Sequence, residues 1–257
     1  MSRPKKFMNC RYPHPEASHR LICFPWAGGG SNFYAAWGSQ LPPNIEVHGI
    51  TLGGRESRFR DKPCSSAQET VAEIASIIAT DFTDRPFIFF GHSMGCLLAH
   101  ETAVLLKKVY GRQPEHLYLS GVSAPHTKTR RESVTDLEGV TDEEFQEHLK
   151  GLGGTPPEIL ENPELLKVFL PALKADYTIV SQIVYERPKG KPALSCPITF
   201  FDGVDDDEHD YDGWKELTSG PFKLYKMPGG HFYLKDVHNY LRILENVRRD
   251  FPLAFGC

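Results

Sequence analysis

The stretch that decides the fold is Gly91-His92-Ser93-Met94-Gly95. It follows the apolar run Phe87-Ile88-Phe89-Phe90, which is typical of a buried strand, and it precedes residues 96–107, whose apolar side chains recur at helical spacing. A Cβ atom on either flanking glycine would collide with the neighbouring strand or helix, so the turn is sharp and the serine backbone strained. A strand, a G-x-S-x-G turn and a helix in this order form a nucleophile elbow. We therefore predict Ser93 as a catalytic nucleophile; a structural glycine-rich turn is the alternative.

Strands and helices alternate along the first half of the chain. Strands are predicted over residues 21–24, 45–50, 87–90 and 117–121, and helices over residues 33–41, 71–79 and 96–107. Ser31 or Asn32 is the expected cap of the first helix. Residues 1–19 are polar and contain proline, so we expect them to run along the surface. The alternation predicts an α/β protein with a mostly parallel central sheet flanked by helices.

The alternation stops between residues 127 and 190. Three helices are predicted there, over residues 142–150, 161–170 and 171–185, and Thr141 and Glu144 form a capping box for the first. The sheet resumes over residues 198–201 and 222–227, and a last helix covers residues 237–249. A helical insertion between two sheet strands indicates a lid over an active site, with a surface subdomain as the alternative. We predict one α/β domain over residues 1–257, with a lid at residues 127–190 inserted in it.

Composition and charge exclude several classes of protein. At 257 residues with a net charge of −4, the chain does not fit a bulk nucleic-acid binder. No stretch approaches the roughly 18 apolar residues of a membrane span, and no apolar segment of a signal peptide follows the basic start. The six cysteines are scattered, without a C-x-x-C pair or a histidine spacing suited to zinc, so no metal and no cofactor is predicted. We expect a monomer in the reducing cytosol.

A nucleophilic serine needs a base and a group that orients the base, in the chain order serine, acid, histidine. His231 follows the last predicted strand on a loop loosened by Gly229 and Gly230, at the sheet edge expected for Ser93. The acid should follow the preceding strand, where the run of residues 202–207 offers several aspartates. The turn pattern Gly-x-x-Asp favours Asp206 among them.

The developing oxyanion of such a reaction needs backbone N–H donors, each worth about 3 kcal/mol. The residue after the nucleophile, Met94, should supply one donor. The other should come from the loop after the first strand, with Ala27 as the best candidate. A flexible turn or a phosphate cradle is the alternative reading of Gly28-Gly29-Gly30, but neither usual phosphate-binding glycine pattern is present.

Five linked motifs together resemble the type II thioesterase family. They are Phe24-Pro25-Trp26-Ala27-Gly28-Gly29-Gly30-Ser31, Gly54-Arg55-Glu56, Phe89-Phe90-Gly91-His92-Ser93-Met94-Gly95, Gly153-Gly154-Thr155-Pro156 and Pro228-Gly229-Gly230-His231-Phe232. Their order and wording are most similar to the animal branch, the medium-chain S-acyl fatty acid synthase thioesterases (oleoyl-acyl-carrier-protein hydrolases). One departure is visible, because Leu52-Gly53-Gly54 stands where the family usually has Leu-Pro-Gly.

The resemblance implies an α/β-hydrolase fold with a helical lid. It also implies hydrolysis of acyl thioesters on the phosphopantetheine arm of an acyl carrier protein, in a fatty acid or polyketide synthase. It assigns Ser93, Asp206 and His231 as the catalytic triad and supports Ala27 and Met94 as oxyanion donors. Two other functions stay open: a carboxylesterase or lipase acting on oxygen esters, and a hydrolase fold that only binds.

Two further sets of residues are candidates for substrate and partner contacts. Phe169 and Tyr177, with Leu170, Leu173 and Val180, are spaced to line an acyl channel, although the same spacing suits a face packed on the core. The basic cluster Lys128, Arg130 and Arg131 follows the strand that ends at residue 121, so it could dock an acidic carrier protein or be a solvated loop.

Overall fold

The strand that leads into Ser93 lies in the middle of a seven-stranded sheet. The computed structural model describes residues 6–134, 139–152, 161–187 and 189–253. The strands in these ranges are β1 (Met8–Asn9), β2 (His19–Phe24), β3 (Ile45–Ile50), β4 (Phe87–His92), β5 (Leu117–Ser120), β6 (Ile198–Gly203) and β7 (Phe222–Met227). Their order is β1-β3-β2-β4-β5-β6-β7, and all neighbours are parallel except β1 and β3. The predicted mostly parallel sheet is confirmed.

Helices cover both faces of the sheet. They are α1 (Ser31–Ala35), α2 (Ala67–Asp81), α3 (Met94–Tyr110), α4 (Lys128–Glu132), α5 (Asp142–Leu152), α6 (Pro163–Gln182), α7 (Asp212–Lys215) and α8 (Val237–Asp250). Phe87 and Phe89 of β4 face the core beneath α2 and α3, whereas Ile88 and Phe90 face the core beneath α8. Because successive side chains of a strand point to opposite faces, a strand covered on both sides must be apolar throughout. This explains the continuous apolar run before the elbow.

The long helices extend past their predicted ends because their caps lie outside the apolar pattern. Ser66 caps α2, and its hydroxyl accepts a hydrogen bond from the Glu69 N–H at 3.2 Å. Gly111 ends α3 in the left-handed conformation, with φ 68°, and its N–H donates to the Lys107 carbonyl at 3.2 Å. Neither cap contributes to an apolar stripe, so periodicity alone places each end a few residues too far inside.

The helical insertion lies between β5 and β6 and contains α4, α5 and α6. The predicted capping box is present, since Thr141 and Glu144 exchange hydrogen bonds of 2.9 and 3.2 Å. The prediction of two separate helices over residues 161–185 is wrong, because α6 runs unbroken through Pro171. Apolar side chains on both sides of this exposed proline pack into one cluster and hold the two halves in line: Leu166, Leu170 and Leu173. The motif at residues 153–156 lies outside the described residues.

The start of the chain contributes more to the fold than its composition indicates. Phe7 and Met8 are buried, and Met8 pairs with Ile50 where β1 lies antiparallel on β3, so the expected surface path is wrong for this stretch. Helix α1 is also shorter than predicted and has Gly30 at its N-cap. Neither predicted cap is used: Ser31 donates its hydroxyl and its N–H to the carboxylate of Glu56, and Asn32 donates its N–H to the same carboxylate. No helix in the described ranges is long and apolar enough to cross a bilayer.

A buried acid–base pair lies on β3. Glu46 Oε2 lies 2.7 Å from His48 Nε2, and Glu46 Oε1 accepts the His14 N–H at 2.9 Å. The hydrogen bond with His48 is the main cause that lowers the pKa of Glu46 to about 2, against the opposing effect of burial. The ionised form of Glu46 is therefore the one that the folded state favours.

We expect Glu46→Gln to make the unfolding free energy depend less on pH below about pH 5. The folded-state pKa of about 2 lies below the ordinary 4.5, so ionised Glu46 stabilises the fold above pH 4.5. That contribution is lost as the pH falls from about 4.5 towards 2. Urea unfolding between pH 5 and pH 3 should show a shallower loss of unfolding free energy in the variant than in wild type. Glu143→Gln, on the exposed face of α5, is the control; a wild-type slope in Glu46→Gln would contradict the prediction.

Candidate active site

Ser93 is the residue on which β4 turns into α3. Its backbone has φ 54° and ψ −122°, a conformation that side-chain-bearing residues rarely adopt. Its N–H donates to the Ser120 carbonyl of β5 at 2.8 Å, which anchors the turn to the sheet. A Cβ atom on Gly91 would lie 2.2 Å from the Gly95 carbonyl oxygen, and one on Gly95 would lie 2.3 Å from the Phe24 carbonyl oxygen. The two glycines therefore allow the close approach that the elbow requires.

His231 and Asp206 meet at the same edge of the sheet as Ser93. Asp206 Oδ2 lies 2.9 Å from His231 Nδ1, and the Asp206 side chain is 5% exposed against 26% for His231. Oδ1 of Asp206 accepts the N–H of Asp207 at 2.8 Å, so both carboxylate oxygens are engaged. Asp205 and Asp207 are exposed. Of the three adjacent aspartates, Asp206 is the one that the structure brings to the histidine.

Backbone contacts fix the approach of the two loops. The acid loop follows β6 and the histidine loop follows β7, which are paired neighbours. A Cβ atom on Gly203 would lie 2.5 Å from the Gly229 carbonyl oxygen, and the Asp205 N–H donates to that same oxygen at 3.1 Å. Because the carboxyl ends of parallel strands share one edge, residues far apart in sequence converge here.

The loop after β2, which contains Ala27, starts beside the elbow, since a Cβ atom on Gly95 would lie 3.1 Å from the Pro25 carbonyl oxygen. The N–H groups of Gly28 and Gly29 are already used, at 2.7 Å by Asp176 Oδ2 and at 2.8 Å by the Trp26 carbonyl. Neither can therefore serve as an oxyanion donor, which is compatible with the predicted role of Ala27. Met94 is the first residue of α3, so its N–H has no carbonyl partner within the helix. The positive end of the helix dipole lies at this point.

His92 lies beside His231, and the sequence analysis assigned it no role. It is fully buried, its Nδ1 lies 2.8 Å from Ser120 Oγ, and its ring centroid is 4.9 Å from that of His231. Burial, with added repulsion from His231, His209 and Lys235, holds the pKa of His92 well below its ordinary value. His92 is therefore neutral at pH 7 and places no like charge beside His231. The feature of the sequence that could have selected His92 is its position next to Ser93 inside the elbow motif.

A second carboxylate lies behind Asp206. Asp202 is almost fully buried at the end of β6; its oxygens lie 2.8 Å from His209 Nδ1 and 2.8 Å from Lys226 Nζ. Burial alone would raise the pKa of Asp202, but the hydrogen bonds with His209 and Lys226 hold it below the ordinary value. His209 Nδ1 is also 3.9 Å from Asp206 Oδ2. The acid loop is thus held by a network of polar and charged side chains that the sequence analysis did not predict.

Two side-chain clusters in the described ranges have donor atoms close enough for a metal. They are Cys10, Glu46 and His48, and Asp206, His209 and His231, each with ligand atoms within 4.8 Å of one another. In both clusters a histidine and a carboxylate already form a hydrogen bond with each other. His48 and Glu46 do so at 2.7 Å in the first cluster, and His231 and Asp206 do so at 2.9 Å in the second. A metal at the second cluster would displace the contact between Asp206 and His231. The geometry fits an acid–base pair better than a metal centre.

The predicted channel residues lie in the helical insertion. Phe169 and Tyr177 are half-buried and pack at the edge of the apolar cluster between α5 and α6. The Tyr177 ring meets the Phe145 ring edge-on at 5.2 Å. The two side chains therefore belong to the insertion's own packing, and their role towards an acyl chain stays a prediction.

The basic cluster proposed for docking is only partly on the surface. Arg130 is 2% exposed, and its guanidinium donates to the Val180 carbonyl of α6 at 2.5 Å. The expectation that Arg130 faces a partner is therefore wrong, because it ties α4 to α6. Lys128 remains exposed, in an i,i+4 ion pair with Glu132, and Arg131 donates to the His126 carbonyl.

The elbow serine after β4, the acid loop after β6 and the histidine loop after β7 define a protein of the α/β-hydrolase class. Comparison with known proteins narrows the class to a family. The thioesterase domain family matches residues 19–251, which is most of the chain. The chain belongs to this family, as the motifs predicted.

Individual relatives agree with this assignment. The medium-chain S-acyl fatty acid synthase thioesterase of Rattus norvegicus is 42% identical over 242 residues, covering 93% of this chain and 91% of that protein. The crystal structure of human thioesterase 2 is 32% identical, with a TM-score of 0.70 over 93% of this chain and 100% of that one. YbtT, a type II thioesterase from the yersiniabactin pathway, is 30% identical, with a TM-score of 0.81 over 97% and 100%. The predicted fold is confirmed, and the protein is a hydrolase that acts on thioesters.

Proposed function

We propose that this protein releases free fatty acids from the phosphopantetheine arm of an acyl carrier protein, through an acyl-enzyme on Ser93. The observation that carries the proposal is the contact of 2.9 Å between Asp206 and His231 at the sheet edge where the strained elbow serine lies, in a chain of the thioesterase family. Asp206 orients the imidazole and stabilises its protonated form. Since Nδ1 of His231 faces Asp206, Nε2 is the nitrogen that takes the serine proton.

The reaction has two halves. Ser93 Oγ attacks the thioester carbonyl as His231 Nε2 removes its proton, and the N–H groups of Ala27 and Met94 stabilise the oxyanion. The C–S bond then breaks and the His231 imidazolium gives its proton to the departing pantetheine sulfur, which leaves readily because an ordinary thiol has a pKa of about 8.5. Water, activated by the same imidazole, attacks the acyl-enzyme and frees the fatty acid, which restores the Ser93 hydroxyl.

The relatives support a proposal for the synthase that supplies the substrate. The rat protein is named for fatty acid synthase, whereas YbtT acts in a nonribosomal peptide and polyketide pathway. The higher identity to the rat protein favours a fatty acid synthase carrier as the partner. We propose a monomer in the cytosol; the five described cysteines are free thiols, as a reducing compartment requires: Cys10, Cys23, Cys64, Cys96 and Cys196.

The test of the function is a panel of acyl-carrier thioesters of different chain lengths, run beside oxygen esters with the same acyl groups. Selective hydrolysis of the carrier thioesters would support the proposal, and equal rates on both series would favour a carboxylesterase. A fluorophosphonate probe supplies an independent measurement, because it labels an activated serine. Failure to label Ser93 in the folded protein would favour a hydrolase fold that only binds.

We propose that the insertion at residues 127–190 acts as a lid over the acyl chain and that Phe169 and Tyr177 sense chain length. Phe169→Ala and Tyr177→Leu should then shift the ratio of kcat/KM between short and long acyl groups by about 1–3 kcal/mol. Leu165→Ala, at an exposed position of the same helix, is the control and should leave the ratio unchanged. An equal fall in kcat/KM at all acyl chain lengths would instead mean that the two residues only support the fold.

A further inference from the structure

Helix α6 carries a buried carboxylate that reaches the loop after β2. Asp176 is 2% exposed, and its Oδ2 accepts the N–H of Gly28 at 2.7 Å. The partners are 148 residues apart in sequence, so this bond joins the insertion directly to the loop that contains Ala27. A carboxylate acceptor makes the bond stronger than one between neutral groups.

Arg55 forms a buried ion pair with Asp176. Its two terminal nitrogens lie 2.7 Å from the two oxygens of Asp176, and one of them also donates to the Gly29 carbonyl at 2.8 Å. Arg55 is itself 6% exposed, so the pair is buried on both sides. A buried ion pair of this kind is often no more stabilising than apolar side chains of the same size. A contribution to stability is therefore a weak explanation for placing it here.

The loop is held from other directions as well. Gly28 has φ 77°, and a Cβ atom on it would lie 2.4 Å from Leu173 Cδ2, so α6 packs directly on the loop backbone. At the far end of the loop, the carboxylate of Glu56 accepts the N–H groups of Ser31 and Asn32 at 2.9 and 3.1 Å. Both Arg55 and Glu56 come from the Gly54-Arg55-Glu56 motif. The motif and α6 thus form the two sides of a clamp on the loop.

We propose that Asp176 is a positioning residue for the oxyanion hole. This inference rests on the proposed function, in which the Ala27 N–H stabilises the oxyanion. The Gly28 N–H and the Ala27 carbonyl belong to one planar peptide unit, so the bond to Asp176 fixes the plane that follows Ala27. Fixing that plane restricts the Ala27 backbone and hence the direction of its own N–H. The Asp176 side chain is then part of the catalytic scaffold, and moving it away from Gly28 would loosen the oxyanion donor.

Asp176→Leu and Asp176→Asn are the first variants. Leucine keeps the branched shape without an acceptor, and asparagine keeps an acceptor without the charge. We expect kcat to fall on the order of 100-fold in Asp176→Leu and about 10-fold in Asp176→Asn, with KM within about threefold of wild type. Binding of an acyl trifluoromethyl ketone, which forms a tetrahedral adduct with the serine, should weaken by the same factors as kcat. Unchanged ketone binding would overturn the proposal.

The double variant Arg55→Met with Asp176→Leu separates positioning from folding. Replacing both charges by apolar groups avoids leaving either one unpaired, so this protein should unfold at a urea concentration close to that of wild type. We expect kcat to stay low in it. Recovery of kcat together with stability would mean that the pair only supports the fold.

Lys174→Met is the matched control. Lys174 lies on the same helix and forms an ion pair with Asp142 at 2.6 Å, away from the loop. The kcat and the ketone binding of the Lys174→Met variant should equal those of wild type. The wild-type enzyme also tells the two proposals apart. No thioesterase activity in wild type would overturn the proposed function, whereas wild-type activity with normal kcat in Asp176→Leu would overturn only the role of Asp176.

Discussion

Ser93→Gly is expected to yield a protein that is inactive and yet more stable than wild type. Loss of the nucleophile should lower kcat on the order of 10⁶-fold, as it does in other serine hydrolases. The backbone of Ser93, at φ 54° and ψ −122°, costs about 1–3 kcal/mol for a residue with a Cβ atom. Glycine avoids that strain but loses about 0.5–1 kcal/mol through the greater freedom of the unfolded chain. We therefore expect a net gain of about 1 kcal/mol in unfolding free energy.

Ser93→Ala is the matched control for the strain. Alanine removes the hydroxyl but keeps the Cβ atom, so it should lose the same activity and show a stability close to that of wild type. Urea unfolding followed by circular dichroism measures the difference between the two variants. If Ser93→Gly proved less stable than Ser93→Ala, the elbow would not store strain of this size.

Asp206→Asn is expected to lower kcat on the order of 10⁴-fold with little change in stability. An amide in place of the carboxylate favours the wrong tautomer of His231 and does not stabilise the imidazolium. The two oxygens of Asp206 contact His231 and the Asp207 N–H, so asparagine fits the space. Steady-state kinetics on a carrier thioester would measure the effect.

The neighbouring aspartates provide controls of the same chemistry. Asp205→Asn and Asp207→Asn remove exposed charges near the site and should each cost less than about tenfold in kcat, because solvent screens them. If either proved crippling while Asp206→Asn stayed near wild type, the acid would be wrongly assigned, although the roles proposed for Ser93 and His231 would stand.

The parts of the fold predicted correctly are those that depend on local pattern. The apolar run before residue 91 marked β4 because a strand buried on both faces has no polar position. The Gly-x-x-Asp turn after β6 and the glycine loop after β7 pointed to Asp206 and His231, whose side chains lie 2.9 Å apart; their catalytic roles stay a prediction. These are features that a few consecutive residues determine.

The structural features that the sequence did not predict depend on contacts between segments that are distant in the chain. Pro171 looked like a helix end, but α6 continues through it, and Leu166, Leu170 and Leu173 on both sides of it pack into the cluster shared with α5. Arg130 looked like a surface charge, and its partner is a carbonyl 50 residues away. Arg55 and Asp176 are separated by 121 residues, and no local pattern links them. A single sequence carries no signal for such pairs.

The sheet order places Ser93 and the proposed base, His231, after strands of different burial. The elbow follows β4, which is flanked by β2 and β5 in the middle of the sheet, whereas His231 follows β7 at the edge, where only one of six residues is buried. Protection against hydrogen exchange should therefore differ between the two. Amides of β4 should exchange only when the whole molecule unfolds, while those of β7 can exchange through local opening. Mild denaturant would then detach His231, the proposed base, first, and the enzyme would lose activity reversibly while its core was still intact.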